Sequence, residues 1–130
     1  QESYPQSVAF NNDGTKMFVV GYLSDKVWEY TLGTAYNVSS AILVDGFSVA
    51  SQTIVPTAVR FNSNGSKMFV LSTTATQSVH EYALSTNFDV STASYTDGFA
   101  INSTTGTSCY GLAFNNDAPI SLALLMAPQG

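Results

Sequence analysis

A chain of 130 residues that is 45% hydrophobic and 12% aromatic has the length and the apolar content for a folded core, which excludes intrinsic disorder. Four Lys and Arg against nine Asp and Glu leave a net charge of −5, which argues against a nucleic-acid surface or an anionic membrane as partner, since few cations could neutralise phosphate. Cys109 stands alone, so no intrachain disulfide can form, and no apolar run approaches the roughly 18 residues of a membrane span.

The segment FNNDGTKMFV at residues 10–19 returns as FNSNGSKMFV at residues 61–70, and a broken third copy opens with FNND at Phe114. A period of about 51 to 53 residues built on short β-type runs marks a repeat architecture. The expected division is one repeat over residues 1–50, a second over 51–103 and a partial third over 104–130. Charged residues make up 10%, and Ser, Thr and Asn fill surface positions instead, a composition common in secreted β proteins, adhesins and virion components. The chain opens on the repeat pattern with no signal peptide and no initiator Met, and reads as a processed or excerpted chain.

Each repeat starts with a proline, Pro5 or Pro56. Alternation follows, as Val8 and Phe10, Val59 and Phe61, and then Leu112 and Phe114. Period two predicts a strand with one face on the core. The turns Asn12-Asp13-Gly14 and Ser63-Asn64-Gly65 predict tight hairpins, because Asn, Asp and Gly tolerate positive φ. The second strand, MFVV at residues 17–20 and MFVL at 68–71, is apolar on both faces and reads as a central strand between layers. Phe10, Phe18, Phe61 and Phe69 are expected in the core.

The third strand reads VWEYTL at residues 27–32 and VHEYAL at 79–84. It sets Trp28, Tyr30 and Leu32 on one face and Val27, Glu29 and Thr31 on the other. A longer loop is echoed as GTAYNVSSA and STNFDVSTA; Tyr36 and Val38 there correspond to Phe88 and Val90, expected to peg the loop to the body. The fourth strand carries Asp45-Gly46-Phe47 and Asp97-Gly98-Phe99, where a strand glycine predicts a bulge or bend on an outer edge. After Asp117 the pattern gives way to APISL and then ALLMAP, which reads as a central strand or as a chain terminus.

Four antiparallel strands per repeat, with no helical periodicity, describe an all-β chain of tandem β-propeller blades. At these residues the chain resembles the YVTN-type propeller repeats. Asp13-Gly14-Thr15-Lys16, Phe18-Val19-Val20 and Asp25-Lys26-Val27 match their turn, aromatic-Val strand and Asp-x-Val strand. The second copy keeps Asn64-Gly65-Ser66-Lys67 and has no aspartate before Val79. The resemblance covers roughly residues 4 to 117, and it implies a propeller fold and a secreted, surface-layer or phage-associated setting. It is nearly silent on activity, because propellers host many.

No catalytic constellation, cofactor motif or metal cluster stands out. Glu29 and Glu81 recur at equivalent positions on separate repeats, too far apart for the roughly 5 to 10 Å pairing of glycosidase carboxylates, and read as structural acceptors of hydrogen bonds from a neighbouring strand or a Lys. His80 replaces Trp28 as a packing residue, with no second His to share a metal. Asn11, Asn12 and Asp13 resemble the start of a calcium loop but lack its closing Glu, and read as a turn. Lone Cys109 reads as a small buried hydrophobe. Sequons place candidate glycan attachment at Asn37, Asn64 and Asn102.

The reading that follows is a non-enzymatic structural or adhesive module of an extracellular, cell-surface or virion protein. Its polar turns at residues 21–26 and 72–78 supply contact surface. Its partners would be copies of itself, in a ring or filament, or the remaining blades of a longer propeller. The alternative is a carbohydrate-binding module in which Trp28, Tyr22 or Tyr36 stacks on a sugar. A propeller hydrolase fragment stands third.

Overall fold

The computed structural model describes residues 2–73, 77–101, 109–114 and 122–126. Its regular structure is β, apart from two short 3-10 turns at Val38–Ser40 and Val90–Thr92. Strands β1 (Pro5–Phe10), β2 (Lys16–Gly21), β3 (Lys26–Leu32) and β4 (Ala41–Ser48) form one antiparallel sheet in that order. Strands β5 (Pro56–Phe61), β6 (Lys67–Ser72), β7 (Ser78–Leu84) and β8 (Ala93–Ala100) form a second of the same order. A two-stranded sheet follows, β9 (Cys109–Phe114) with β10 (Leu122–Met126).

The register repeats with the sequence. Phe10 faces Met17, Phe61 faces Met68 and Phe114 faces Leu122 across the first hairpin of each unit. The apolar run after Asp117 is therefore the second strand of a third hairpin, while residues 115–121 and 127–130 lie outside the described residues.

Alternation on the strands sets how the sheets pack. Phe18, Val20, Val27 and Val49 of the first unit form one buried cluster with Val59, Met68, Val70, Tyr82, Leu84 and Val90 of the second. On the opposite side of the second sheet, Ala58, Leu71 and Val79 pack with Leu112, joined by Phe69 and Phe114. The second sheet is thus covered on both faces, which is why β6 needs apolar residues on each. β5 lies against β1 and β2, and β9 lies against β5 and β6. Arg60 reinforces the first boundary, its Nη1 donating to the Val8 carbonyl at 3.3 Å and to Ser7 Oγ at 3.4 Å.

Several expectations need correction. Of the four repeated phenylalanines Phe18 is fully buried, whereas Phe10, Phe61 and Phe69 are half-buried. Phe61 fills the seam between sheets beside Phe18, and Phe69 rests on Phe114 with ring centroids 4.6 Å apart. The Asn-Asp-Gly turn is no two-residue hairpin. The Asn11 amide bonds the Lys16 carbonyl at 3.2 Å, and positive φ falls on Gly14 alone in that turn. Asp13 instead accepts from the backbone and hydroxyl of Thr15, an Asx turn that needs no left-handed aspartate.

Gly46 does not make the bulge expected of it. The register shift falls between Glu29 and Tyr30, where Val44 is the extra residue opposite. Gly46 pairs in register with Trp28, and a Cβ there would come within 2.7 Å of the indole. The glycine makes room for a ring.

Candidate functional site

The loops between the third and fourth strands determine the site. In each repeat the loop places an aromatic residue in the left-handed region, Tyr36 at φ 58° and Phe88 at φ 57°, a strained setting for a bulky side chain. Both rings lie over a turn glycine: a Cβ on Gly14 would clash with the Tyr36 ring, and one on Gly65 with the Phe88 ring. Only glycine, which also supplies φ 73° at each position, fits under the ring. A 3-10 turn follows, capped by Asn37 or Asp89, each accepting the backbone N–H two residues on.

The second loop is gripped by the first sheet. Phe88 packs against both Phe18 and Phe61, with centroids 6.4 and 5.5 Å away. Glu29 carries its carboxylate up from β3 with 3% of the side chain exposed, and Lys16 Nζ meets its Oε1 at 2.6 Å. The other carboxylate oxygen accepts the Val90 N–H at 2.9 Å. Lys16 Nζ also donates to the Phe88 carbonyl at 2.8 Å. The Val90 N–H is a first-turn donor with no partner inside its own helical turn, so a buried carboxylate suits it. A charged pair that would be costly alone is stabilised by having its remaining hydrogen bonds met from the neighbouring repeat.

The second repeat carries the same group with no loop in its grip among the described residues. Lys67 Nζ lies 3.3 Å from Glu81 Oε1, and their side chains are 49% and 28% exposed. Glu81 Oε2 accepts from the Thr96 hydroxyl at 3.0 Å. Around them opens a cleft of about 640 Å³, floored by Phe69, Val79 and Phe114 and walled by Phe99. This cleft is the second repeat's counterpart of the space that Phe88 and Val90 fill in the first.

The expected site residues do not converge. Trp28 is half-buried: its Nε1 donates to Ser24 Oγ at 3.1 Å and Lys26 Nζ sits 5.0 Å from the ring centroid. Tyr22 is exposed and stacks on Tyr4 at 5.3 Å. Tyr36 is 59% exposed, packs 5.5 Å from Phe10 and donates its hydroxyl to the Asn12 carbonyl. Asn37 and Asn64 are exposed, each side-chain oxygen accepting within its own turn. Asn102 lies outside the described residues, as does the side chain of Cys109. Of the contact turns, residues 21–26 expose Tyr22 and Leu23 while Gly21 is buried, and residues 74–76 are outside the described set.

His80 does occupy the Trp28 position. Its Nδ1 is buried with no hydrogen-bond partner among the described residues, and burial pushes its pKa down. Asn11 and Asp13 spend their side-chain oxygens on Lys16 and Thr15, and the Thr15 bonds hold the Asp13 carboxyl below its usual range.

No family model matches this chain and no curated protein matches it. Among solved structures it is similar to a protein of unknown function from Desulfotomaculum acetoxidans DSM 771, at a TM-score of 0.55 and 18% identity. The match covers 75% of this chain and 27% of that one. That likeness concerns the fold alone.

The grip of Lys16 on the second loop is what the sequence reading missed. The sequence points to a neighbouring strand or a Lys as donor to Glu29 and Glu81 without saying which, although Lys and Glu recur together in both repeats, at Lys16 with Glu29 and at Lys67 with Glu81. That paired recurrence was the available signal. All four cations are engaged: Lys16 and Lys67 with carboxylates, Lys26 over Trp28, and Arg60 on β1.

Proposed function

We propose that this chain is a non-enzymatic repeat module of an extracellular, cell-surface or virion-associated protein, serving a structural or adhesive role. In this reading each four-stranded sheet is a propeller blade, and the surface turns carry the contacts. The observation that carries it is the Lys16–Glu29 grip on the Phe88–Val90 backbone. The most buried carboxylate among the described residues is spent holding one repeat to the next, where a catalytic acid would need access to substrate. The serial packing of β1 on β5 and of β5 on β9 supports blades arranged about an axis. Further blades or further copies would complete such a ring or filament.

A sugar-binding role is the second reading, favoured by the exposed Tyr4–Tyr22 stack, which has the form of a saccharide platform. Trp28 contributes less to it, since Lys26 covers its face and Gly46 its edge.

The test is a turnover assay on glycosides and esters together with glycan-array binding by the purified chain. The module reading expects neither turnover nor glycan retention. Turnover that disappears in Glu81→Gln, or glycan retention that disappears in Tyr22→Ala, would overturn it.

A further inference from the structure

We propose that the Lys67–Glu81 cleft is the seat of a third repeat's loop, the repeat that β9 and β10 begin. This rests on the repeat-module reading and names the partner of its open site. The cleft matches the filled site side chain for side chain. Lys67 stands for Lys16, Glu81 for Glu29, Phe69 for Phe18 and Phe114 for Phe61. The aromatic pairs agree in geometry as well as in identity. Phe18 and Phe61 lie 4.3 Å apart at 45°, and Phe69 and Phe114 lie 4.6 Å apart at 49°. In the first site a third ring, Phe88, touches both members of the pair.

The occupant's chemistry follows from what the first site holds. It presents an aromatic ring to Phe69 and Phe114, and that residue's carbonyl to Lys67 Nζ. It offers a valine N–H to the Glu81 carboxylate, which accepts a second bond beside the one from Thr96. A ring placed like Tyr82 would cover Phe99, as Tyr82 covers Phe47 edge-on at 5.5 Å. Phe99 is 68% exposed, whereas Phe47 is half-buried.

A second copy of this chain also displays such a loop, since Tyr36 and Val38 are exposed at 59% and 61%. Yet β9 already lies on β5 and β6 as β5 lies on β1 and β2. The first sheet of a second copy, docked in that same manner, would need the space that β9 fills. A repeat continuing from β9 meets no such conflict, and the cleft is therefore assigned to it.

The test compares the full 130-residue chain with an extended one, in which Phe114 is followed by a second copy of residues 62–101. Amide hydrogen exchange is followed at the appended counterpart of Val90. The expected result is exchange slowed by about tenfold or more over the unfolded rate, with the protection lost in the extended chain carrying Glu81→Ala. Protection of Val90 itself serves as the internal control that the first two repeats remain folded. An appended loop that exchanges freely while Val90 stays protected would overturn the assignment and leave the module reading standing. Self-association of the unextended chain that Val38→Asp abolishes would overturn it in favour of a second copy. Glycan binding by the unextended chain that Phe99→Ala abolishes would overturn the module reading instead.

Discussion

Glu29 and Glu81 occupy the same place in two repeats and differ in whether a neighbouring loop is in hand, so truncating each isolates the worth of the grip. Glu29→Ala removes a carboxylate whose side chain is 3% exposed and leaves Lys16, 27% exposed, beside an unpaired Val90 N–H. Breaking a fully buried pair costs about 3 to 5 kcal/mol. Partial solvent access at Lys16 lowers that to about 2 to 4 kcal/mol. Glu81→Ala opens a pair 3.3 Å apart that water already reaches, worth about 0 to 1 kcal/mol. The expected difference of about 2 kcal/mol appears in urea titration as a midpoint gap of about 1 to 2 M. Lys16→Met combined with Glu29→Leu should recover part of the loss, because an apolar pair leaves no orphaned charge. Equal midpoint shifts for Glu29→Ala and Glu81→Ala would refute the reasoning, since the inter-repeat hydrogen bonds would then contribute nothing.

Further outcomes follow from the packing. Phe18→Ala, at a fully buried ring, should destabilise by about 3 to 5 kcal/mol, and Phe69→Ala, half-buried on Phe114, by about 1 to 3 kcal/mol; a reversed order in denaturant titration would show that the second sheet's outer face is the tighter one. Gly65→Ala meets both a φ of 73° and the Phe88 ring, and should cost about 2 kcal/mol or more; a change under about 0.5 kcal/mol would mean the ring lies elsewhere. Burial lowers the His80 pKa below its ordinary 6.5, so the unfolded chain binds the proton more readily. Its contribution is therefore present above about pH 6.5 and is lost as the pH falls towards the folded value. Thermal melts at pH 7 and pH 5 should show a smaller drop for His80→Phe than for the parent, and an unchanged drop would clear His80 of the effect.

The strands were legible because period-two alternation needs only local sequence. Val59 with Phe61, and the double-faced MFVL run at residues 68–71, report directly which faces are covered, whereas Val8, the equivalent of Val59, is 48% exposed. What sequence could not give was the identity of the covering surface. Met17 and Met68 are equivalent in sequence, yet Met68 is fully buried and Met17 half-buried, since among the described residues only the second of the two four-stranded sheets has neighbours on both sides. The same holds for Tyr36 and Phe88, one exposed and one packed against Phe18 and Phe61. Glycine signals stand at the right positions for a different reason: Gly46 yields to the Trp28 ring, while the extra residue of the β4 bulge is Val44. The Lys16–Glu29 grip escaped because its partners on the loop are backbone groups of Phe88 and Val90, to which side-chain patterns are blind.

The central claim is that the module works by repeat-to-repeat packing, and an experimental structure of the protein in its native assembly tests it most directly. The account predicts β1, β5 and β9 adjacent about a common axis, with a loop of Phe88–Val90 form seated against Lys67 and Glu81. A sugar or substrate in that cleft, or sheets related by no common axis, would contradict it.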